Sequence, residues 1–366
     1  MAVETHNSRR YDGDLRIRLA LVSHLARGVF MKFCFACVVL LSSCLGLGQV
    51  ASGQTVADSL AKVDSDFSLT GEYTCLARMN HSGNQGLQVL ALGDGKFQGM
   101  WYQGGLPGNG WNQAVRTVMT GQRNGDALVL TGELNSVVVY RGLATVYDLN
   151  GVVQSQLQKV LRKSPTLNLS PPANADVLFD GTHAGNFKDG QLSEEGFLIA
   201  GTEFIPLYKD FQLHIEFKTP YMPHARSQNR GNSGVYLLSR YEVQVLDSFG
   251  LEGVFNECGS LYRTQPPAQN MAFPPLTWQT YDITFHSPKF DAAEQKIQNA
   301  RITVLHNGVA VHDNYEIPNK TGAGKPEGTE LFPIKLQEHG APVHYRNIWI
   351  VNLDQPVMLT QPVCMP

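Results

Sequence analysis

The segment Tyr241-Glu242-Val243-Gln244-Val245-Leu246-Asp247 alternates polar and apolar residues in a way that predicts a β-strand. In an extended chain Glu242 and Gln244 share one face, about 7 Å apart, while Val243 and Val245 point the other way. Ordinary surface strands carry Lys, Thr and Ser outward. A carboxylate beside a carboxamide suits a hydroxyl-rich ligand, a sugar before any other, because hydroxyls both donate and accept. A second strand, Phe211-Gln212-Leu213-His214-Ile215-Glu216-Phe217-Lys218, places four apolar side chains on one face. Its other face carries Gln212, His214, Glu216 and Lys218, which reads either as a second source of a catalytic carboxylate or as a solvated edge.

The elements that position these residues are strands. The chain has 366 residues, with 35 Gly and 19 Pro and few long amphipathic runs, which predicts a β-rich, turn-rich protein with room for two domains. Residues 162–176 carry Pro165, Pro171 and Pro172 among Ser, Asn and Ala without hydrophobic period, and read as a linker. Upstream, 54–161 reads as a small antiparallel β domain. Val56, Leu60 and Val63 suggest a short leading helix, and Asp94-Gly95, Asn124-Gly125 and Asn150-Gly151 separate the apolar runs 87–92, 97–102, 118–122, 127–130 and 137–147. The Gly-rich stretch 104–111 lacks the Lys and the strand-to-helix setting of a phosphate loop and reads as a plain loop. Downstream, 177–353 continues with strands at 234–239, 241–246, 278–285, 302–305, 309–312, 334–337 and 343–350, with Asn307-Gly308 as a hairpin turn. Seven or more strands without helices imply a β-sandwich. Residues 354–366 form a tail.

At the N-terminus, Met31-Lys32 precedes the apolar run 33–41 and the small residues Ala51-Ser52-Gly53, the arrangement of a secretory signal peptide. The region 1–53 is therefore expected to be removed, with Met31 an alternative start, and the mature chain is expected to be periplasmic or secreted. The apolar run is too short for a permanent membrane span. Leu41-Ser42-Ser43-Cys44 also fits a lipoprotein signal, which would place a lipid anchor on Cys44. Loss of 1–53 removes six basic and three acidic residues from 29 and 32, leaving 23 against 29, a net charge of −6 that excludes a nucleic-acid footprint. Cys75, Cys258 and Cys364 remain, an odd number without C-x-x-C spacing, read as three buried thiols before one disulfide and a free thiol. The eight His between His183 and His344 show no H-x-H or H-E-x-x-H spacing. No metal ligands and no cofactor are assigned, and a bound cation on the sheet stays unassigned. Oligomeric state is not legible.

Seven segments occur in the order seen in one family: Leu178-Phe179-Asp180-Gly181, Asn232-Ser233-Gly234-Val235-Tyr236, the 241–247 strand, Gly259-Ser260-Leu261-Tyr262, Trp278-Gln279-Thr280-Tyr281, Leu336-Gln337-Glu338-His339-Gly340 and Tyr345-Arg346-Asn347-Ile348. In these the region from Asp176 to Leu353, about half the chain, resembles the 3-keto-disaccharide hydrolase domain family. It departs from the family at Phe332-Pro333, at Glu338 and around Asn186-Phe187, which bears on loop shape and substrate choice. The resemblance implies an all-β, concanavalin A-like jelly-roll sandwich, and cleavage of glycosides whose glucose is oxidised at C3. A C3 ketone acidifies the C2 proton, so a base can remove it, the C1 aglycone can leave, and water can add back.

Such a site needs a base and a stabiliser of the enolate. Glu242 is the first choice for base, with Glu216 and Asp247 as rivals. His339 is the candidate proton donor and Arg346 the candidate for holding developing negative charge, with Gln244, Gln337, Asn232 and Tyr262 orienting hydroxyls. Plainer roles compete: Glu242 paired with Arg346 or Arg240, His339 bonded to a loop carbonyl, Asn232-Ser233-Gly234 as a bulge, and Trp278 and Tyr281 as core. Glu242-x-Gln244-x-x-Asp247 also partly matches the pattern of retaining glucanases. Their two carboxyl groups must lie about 5 to 5.5 Å apart, whereas an amide holds the middle position here and Asp247 falls on the opposite face. A lectin-like binding module that breaks no bond is the alternative from outside enzymology.

Overall fold

Hairpins that need two residues at positive φ fold here where the sequence supplies them. Asp94 and Gly95 (φ 54° and 70°) and Asn307 and Gly308 (φ 51° and 78°) close two-residue turns whose backbone twist matches the flanking strands. The computed structural model describes residues 56–75 and 84–354. The expected signal peptide, the expected lipid anchor at Cys44 and Cys364 lie outside these residues.

The first part is a closed eight-stranded antiparallel barrel: β1 (Gly71–Cys75), β2 (Gln85–Gly93), β3 (Lys96–Gln103), β4 (Arg116–Asn124), β5 (Ala127–Thr131), β6 (Asn135–Tyr140), β7 (Leu143–Asp148) and β8 (Val153–Val160), with β8 paired back to β1. Closure removes the unpaired edges that an open sheet of this size would expose. The run 137–147 is two strands, not one. Arg141 and Gly142 (φ 48° and 79°) turn the chain between β6 and β7, a hairpin hidden in the sequence because arginine is an uncommon left-handed residue. The leading segment forms 3-10 turns at Leu60–Lys62 and Ser65–Ser68 rather than an α-helix. The Asp64 carboxylate accepts from the backbone N–H groups of Asp66 and Phe67 and competes with helical bonding.

The second part is a two-sheet sandwich. In chain order its strands are β9 (Asp176–Phe179), β10 (Phe187–Lys188), β11 (Leu198–Ile199), β12 (Thr202–Phe204), β13 (Phe211–Lys218), β14 (Ser233–Leu237), β15 (Tyr241–Val245), β16 (Gln279–His286), β17 (Lys289–Phe290), β18 (Lys296–Gln298), β19 (Ala300–His306), β20 (Val309–Ile317), β21 (Lys335–Leu336) and β22 (His344–Asn352). One sheet runs β10-β12-β21-β14-β15. The other runs β11-β22-β13-β16-β19-β20 with β9 on β22, and β17 and β18 form a separate ribbon. Between the sheets pack Leu213, Ile215 and Phe217 of β13, Tyr241, Val243 and Val245 of β15, and Ile348 and Ile350 of β22, all buried. Each such side chain contributes about 1.5 to 3 kcal/mol on burial. The polar partners on the same strands must therefore face outward, from β15 on one side of the sandwich and from β13 on the other.

Barrel and sandwich form one compact unit. Residues 162–169 of the segment read as a linker are tied down by side-chain contacts. Arg162 forks onto buried Glu72 of the barrel at 2.6 and 2.7 Å and stacks 5.0 Å over Phe273. Thr166 then donates to Asp282 and the Asn168 N–H to Glu216, which straps the segment across the outer face of the larger sheet. Cys75 and Cys258 are free thiols, and burial pushes the Cys258 thiol up to about 11. Among the described residues no helix is long and apolar enough to cross a membrane.

Candidate active site

The outer face of the five-stranded sheet gathers most of the expected polar residues. Glu242 lies directly across from Tyr236, and Gln244 across from Gly234. The Glu242 carboxylate leans over Gly234: a Cβ on Gly234 would sit 2.5 Å from Oε1 of Glu242, so any larger residue would push the carboxylate from this position. Residues 259–262 continue the sheet beside β15, with the Gln244 N–H donating to Ser260 O and the Tyr262 N–H to Glu242 O. The loop at Thr321 and Gly322 closes over the carboxylate. The Glu242 N–H donates to Thr321 Oγ1 at 2.7 Å, and the Cβ position of Gly322 falls between the Tyr262 ring and Oε2 of Glu242.

Glu242 is 2% exposed and faces no cation. Burial pushes its carboxyl up to about 7, opposed in part by a hydrogen bond from the Tyr236 hydroxyl. Burial and the Glu242 charge together push the Tyr236 phenol up. Gln228 orients the neighbouring amides: its Oε1 accepts from Gln244 Nε2 at 2.9 Å and from Asn232 Nδ2 at 3.3 Å, while its Nε2 donates to Asn256 O. With their N–H groups so committed, Gln244 Oε1, Asn232 Oδ1 and Glu242 Oε2 remain as buried acceptors without a protein donor. A ligand that supplies hydroxyl donors complements this set. Gln337 closes the array, its N–H on Gly234 O and its Nε2 3.5 Å from the Tyr236 hydroxyl.

Glu242, Gln244, Asn232, Gln337 and Tyr262 are thus brought together; four expected partners, Glu216, Arg346, Asp247 and His339, are not. Glu216 and Arg346 belong to the outer face of the other sheet, because β13 and β15 point their polar sides in opposite directions. Arg346 Nε donates to Glu216 at 2.7 Å, and its guanidinium lies 4.2 Å over the Trp278 ring. Burial alone would raise the Glu216 pKa, but His214, Asn347, the Asn168 N–H and Arg346 outweigh it and hold Glu216 at about 2. A carboxylate so stabilised is a poor base, and Arg346 is too far from Glu242 to hold charge developing there. Trp278, expected in the core, is instead a half-buried platform for Arg346 and Lys218, whereas Tyr281 is fully buried. Asp247 is buried against Arg230 at 2.7 Å, beside the barrel, and takes no part in the Glu242 group. Nor does Glu242 pair with Arg240, which donates to Pro326 O and stacks on Phe332.

His339 is exposed on the loop after Gln337, next to Glu338, and among the described residues makes no hydrogen bond to Glu242 or Tyr236. Tyr236, Gln228 and Thr321 are members of the site that sequence reasoning left out. Tyr236 was findable, since it sits at i+4 from Asn232 and i+2 from Gly234 in a strand of period two. Among the described residues no group of three or more His, Cys, Asp or Glu could hold a metal ion. Two cavities flank the site. One of about 510 Å³ opens at the β14–β15 turn beside Arg240, Lys289 and Phe290. Another of about 360 Å³ lies over β10, β12 and β21, lined by Lys188, Glu203 and Lys335 among others.

A β-sandwich with an acceptor-rich polar group on an outer sheet face defines the class. Residues 173–351 match the profile of the 3-keto-alpha-glucoside-1,2-lyase-like domain, and this region of the chain belongs to that family. The chain is also similar to three crystal structures of putative glycosyl hydrolases from Parabacteroides distasonis ATCC 8503. The first is 31% identical, with 50% of this chain and 85% of that one covered and a TM-score of 0.46. The second is 19% identical, covering 53% and 99%, with a TM-score of 0.36. The third is 22% identical, covering 49% and 99%, with a TM-score of 0.34. No curated protein matches the chain.

Proposed function

We propose that this protein is a glycoside-cleaving enzyme that acts on 3-keto-glycosides by 1,2-elimination, with Glu242 as the base. The observation that carries this is a carboxyl poised at about 7, held without a counter-cation beside two further unpartnered buried acceptors, Gln244 Oε1 and Asn232 Oδ1, within the segment that matches the family. A base near neutrality removes a proton most effectively at neutral pH.

In the reaction, a Glu242 carboxylate oxygen takes the proton from C2, and the C–H electron pair forms the enolate with C3. The enolate re-forms the ketone as the C1–O bond breaks, the electron pair leaves with the aglycone oxygen, and that oxygen gains a proton. The product is a 1,2-unsaturated 3-keto sugar, and addition of water at C1 completes hydrolysis. The ketone itself accepts the electrons, so the step asks for no redox cofactor. Tyr236 takes the place first given to Arg346. Its hydroxyl is the donor that lies against Glu242, fitted to meet the enolate or the leaving oxygen. Gln244, Asn232, Gln337 and Tyr262 orient ring hydroxyls. Export to the periplasm or beyond remains part of the proposal on the strength of the 1–53 leader alone.

The test is cleavage of 3-keto-trehalose beside unoxidised trehalose by the wild-type protein and by Glu242→Gln. The expected result is turnover of the keto-sugar alone, reduced at least 100-fold in the variant. Binding of saccharide without cleavage of either compound would overturn the enzyme assignment in favour of a lectin-like module.

A further inference from the structure

Strand register lays out a row of side chains across the whole sheet on the face that carries Glu242. Glu242 of β15 is opposite Tyr236 of β14, Tyr236 opposite Lys335 of β21, Lys335 opposite Glu203 of β12, and Glu203 opposite Lys188 of β10. Neighbouring strands are about 4.8 Å apart, so Lys335 lies about 10 Å and Glu203 about 14 Å from Glu242. A leaving ring joined to a first ring held over the base extends along this row toward its Lys335 end. The 360 Å³ cavity occupies that far part of the row. Small-molecule sites span about 300 to 1,000 Å³, so its size admits one sugar ring rather than a long chain.

The lining of this cavity is unusual. Most ligand pockets are predominantly apolar, yet this one is built from Lys188, Asp189, Glu203, Lys335 and Glu338 around Gly201 and Thr202, with no apolar side chain. Lys188, Glu203 and Lys335 alternate in charge along the row, yet none forms an ion pair within 4.0 Å among the described residues. Their donors and acceptors are free for a ligand. Gly201 keeps the floor open: it has φ 105°, and a Cβ there would lie 3.1 Å from the Cβ of Glu338.

We infer that this cavity is the subsite for the leaving group, and that Lys335, Glu203 and Lys188 select a neutral, hydroxyl-rich ring over an apolar or aromatic aglycone. Lysine ammonium groups donate to ring hydroxyl oxygens, Glu203 accepts from the hydroxyls, and the lining offers an aryl ring nothing to stack on. The inference rests on Glu242 marking the cleavage point, but binding of the ring can be read without any cleavage.

D-glucose is titrated into the full chain, and the backbone amides of Gly201 and Thr202 are followed by NMR. Saturable shifts at both are expected, with affinity at least 10-fold weaker in Lys335→Met and in Glu203→Gln. Thermal unfolding of each variant confirms that it is folded. Alongside, the kcat/KM ratio of a 3-keto-disaccharide to the corresponding methyl 3-keto-glucoside is expected to fall at least 10-fold in Lys335→Met. Absent or unsaturable shifts, or an unchanged ratio in a folded variant, overturn the subsite. If glucose binds as described but no 3-keto-glycoside is cleaved, the cavity stands as a site for a hydroxyl-rich ring, while its leaving-group role and the elimination mechanism are both overturned.

Discussion

Glu242→Gln is expected to stabilise the protein above neutral pH while it abolishes activity. The Glu242 carboxyl titrates at about 7 in the folded protein because burial disfavours its charge. In the unfolded chain it titrates near its ordinary value of 4.5. The folded state therefore binds the proton more tightly. Its contribution to stability is fully present below about 4.5 and is lost as pH rises through 7. With about 1.4 kcal/mol per pH unit, a gap of roughly 2.5 units costs the native state about 3 kcal/mol at pH 8. Glutamine has nearly the same shape and no charge, so the variant escapes this cost at pH 8 but gains nothing at pH 4.5. For a chain of this size 1 kcal/mol moves Tm by roughly 2 °C, so the expected gain is about 6 °C at pH 8 and near zero at pH 4.5. Urea unfolding followed by tryptophan fluorescence at the two pH values measures the difference directly. Equal effects of the substitution at both pH values would refute the claim that Glu242 is held desolvated and uncompensated, and with it the ground for assigning it as the base.

Three further outcomes follow from the same geometry. The acid limb of kcat/KM is expected at about pH 7, with activity rising as Glu242 deprotonates, and Tyr236→Phe should move it to higher pH by removing the opposing hydrogen bond; a pH–rate profile with an unmoved midpoint would count against Tyr236 contacting the base. Gly234→Ala places a methyl 2.5 Å from Oε1 of Glu242 and should lower kcat/KM at least 10-fold with a stability loss of about 1 to 3 kcal/mol, checked by kinetics and thermal unfolding. Arg162→Met leaves Glu72, 1% exposed, without its guanidinium and should destabilise the protein by about 3 to 5 kcal/mol, whereas loss of both charges in Arg162→Met with Glu72→Gln should recover much of it, as urea unfolding would show.

The sequence by itself determined what is local. Side-chain period two makes Glu242 and Gln244 share a face and sends Val243 and Val245 to the core, and no distant residue is needed to know it. The hairpins at Asp94-Gly95 and Asn307-Gly308 are equally local, because two adjacent residues supply the left-handed turn. Family motifs carried the sandwich and the site segment with them. Tertiary structure alone decided which polar faces meet. Glu216 and Arg346 lie 130 positions apart and became partners only because β13 pairs with β22, across a sheet from Glu242. Asp247 went to Arg230 at the barrel side, and the row from Glu242 to Lys188 exists only through the pairing of five strands drawn from residues 187–336. Barrel closure through β1 and β8, and the strapping of the Pro-containing segment by Arg162 and Asn168, are of the same kind. Pairing between strands far apart in sequence is set by the packing of whole sheets, which leaves no periodic trace in any one strand.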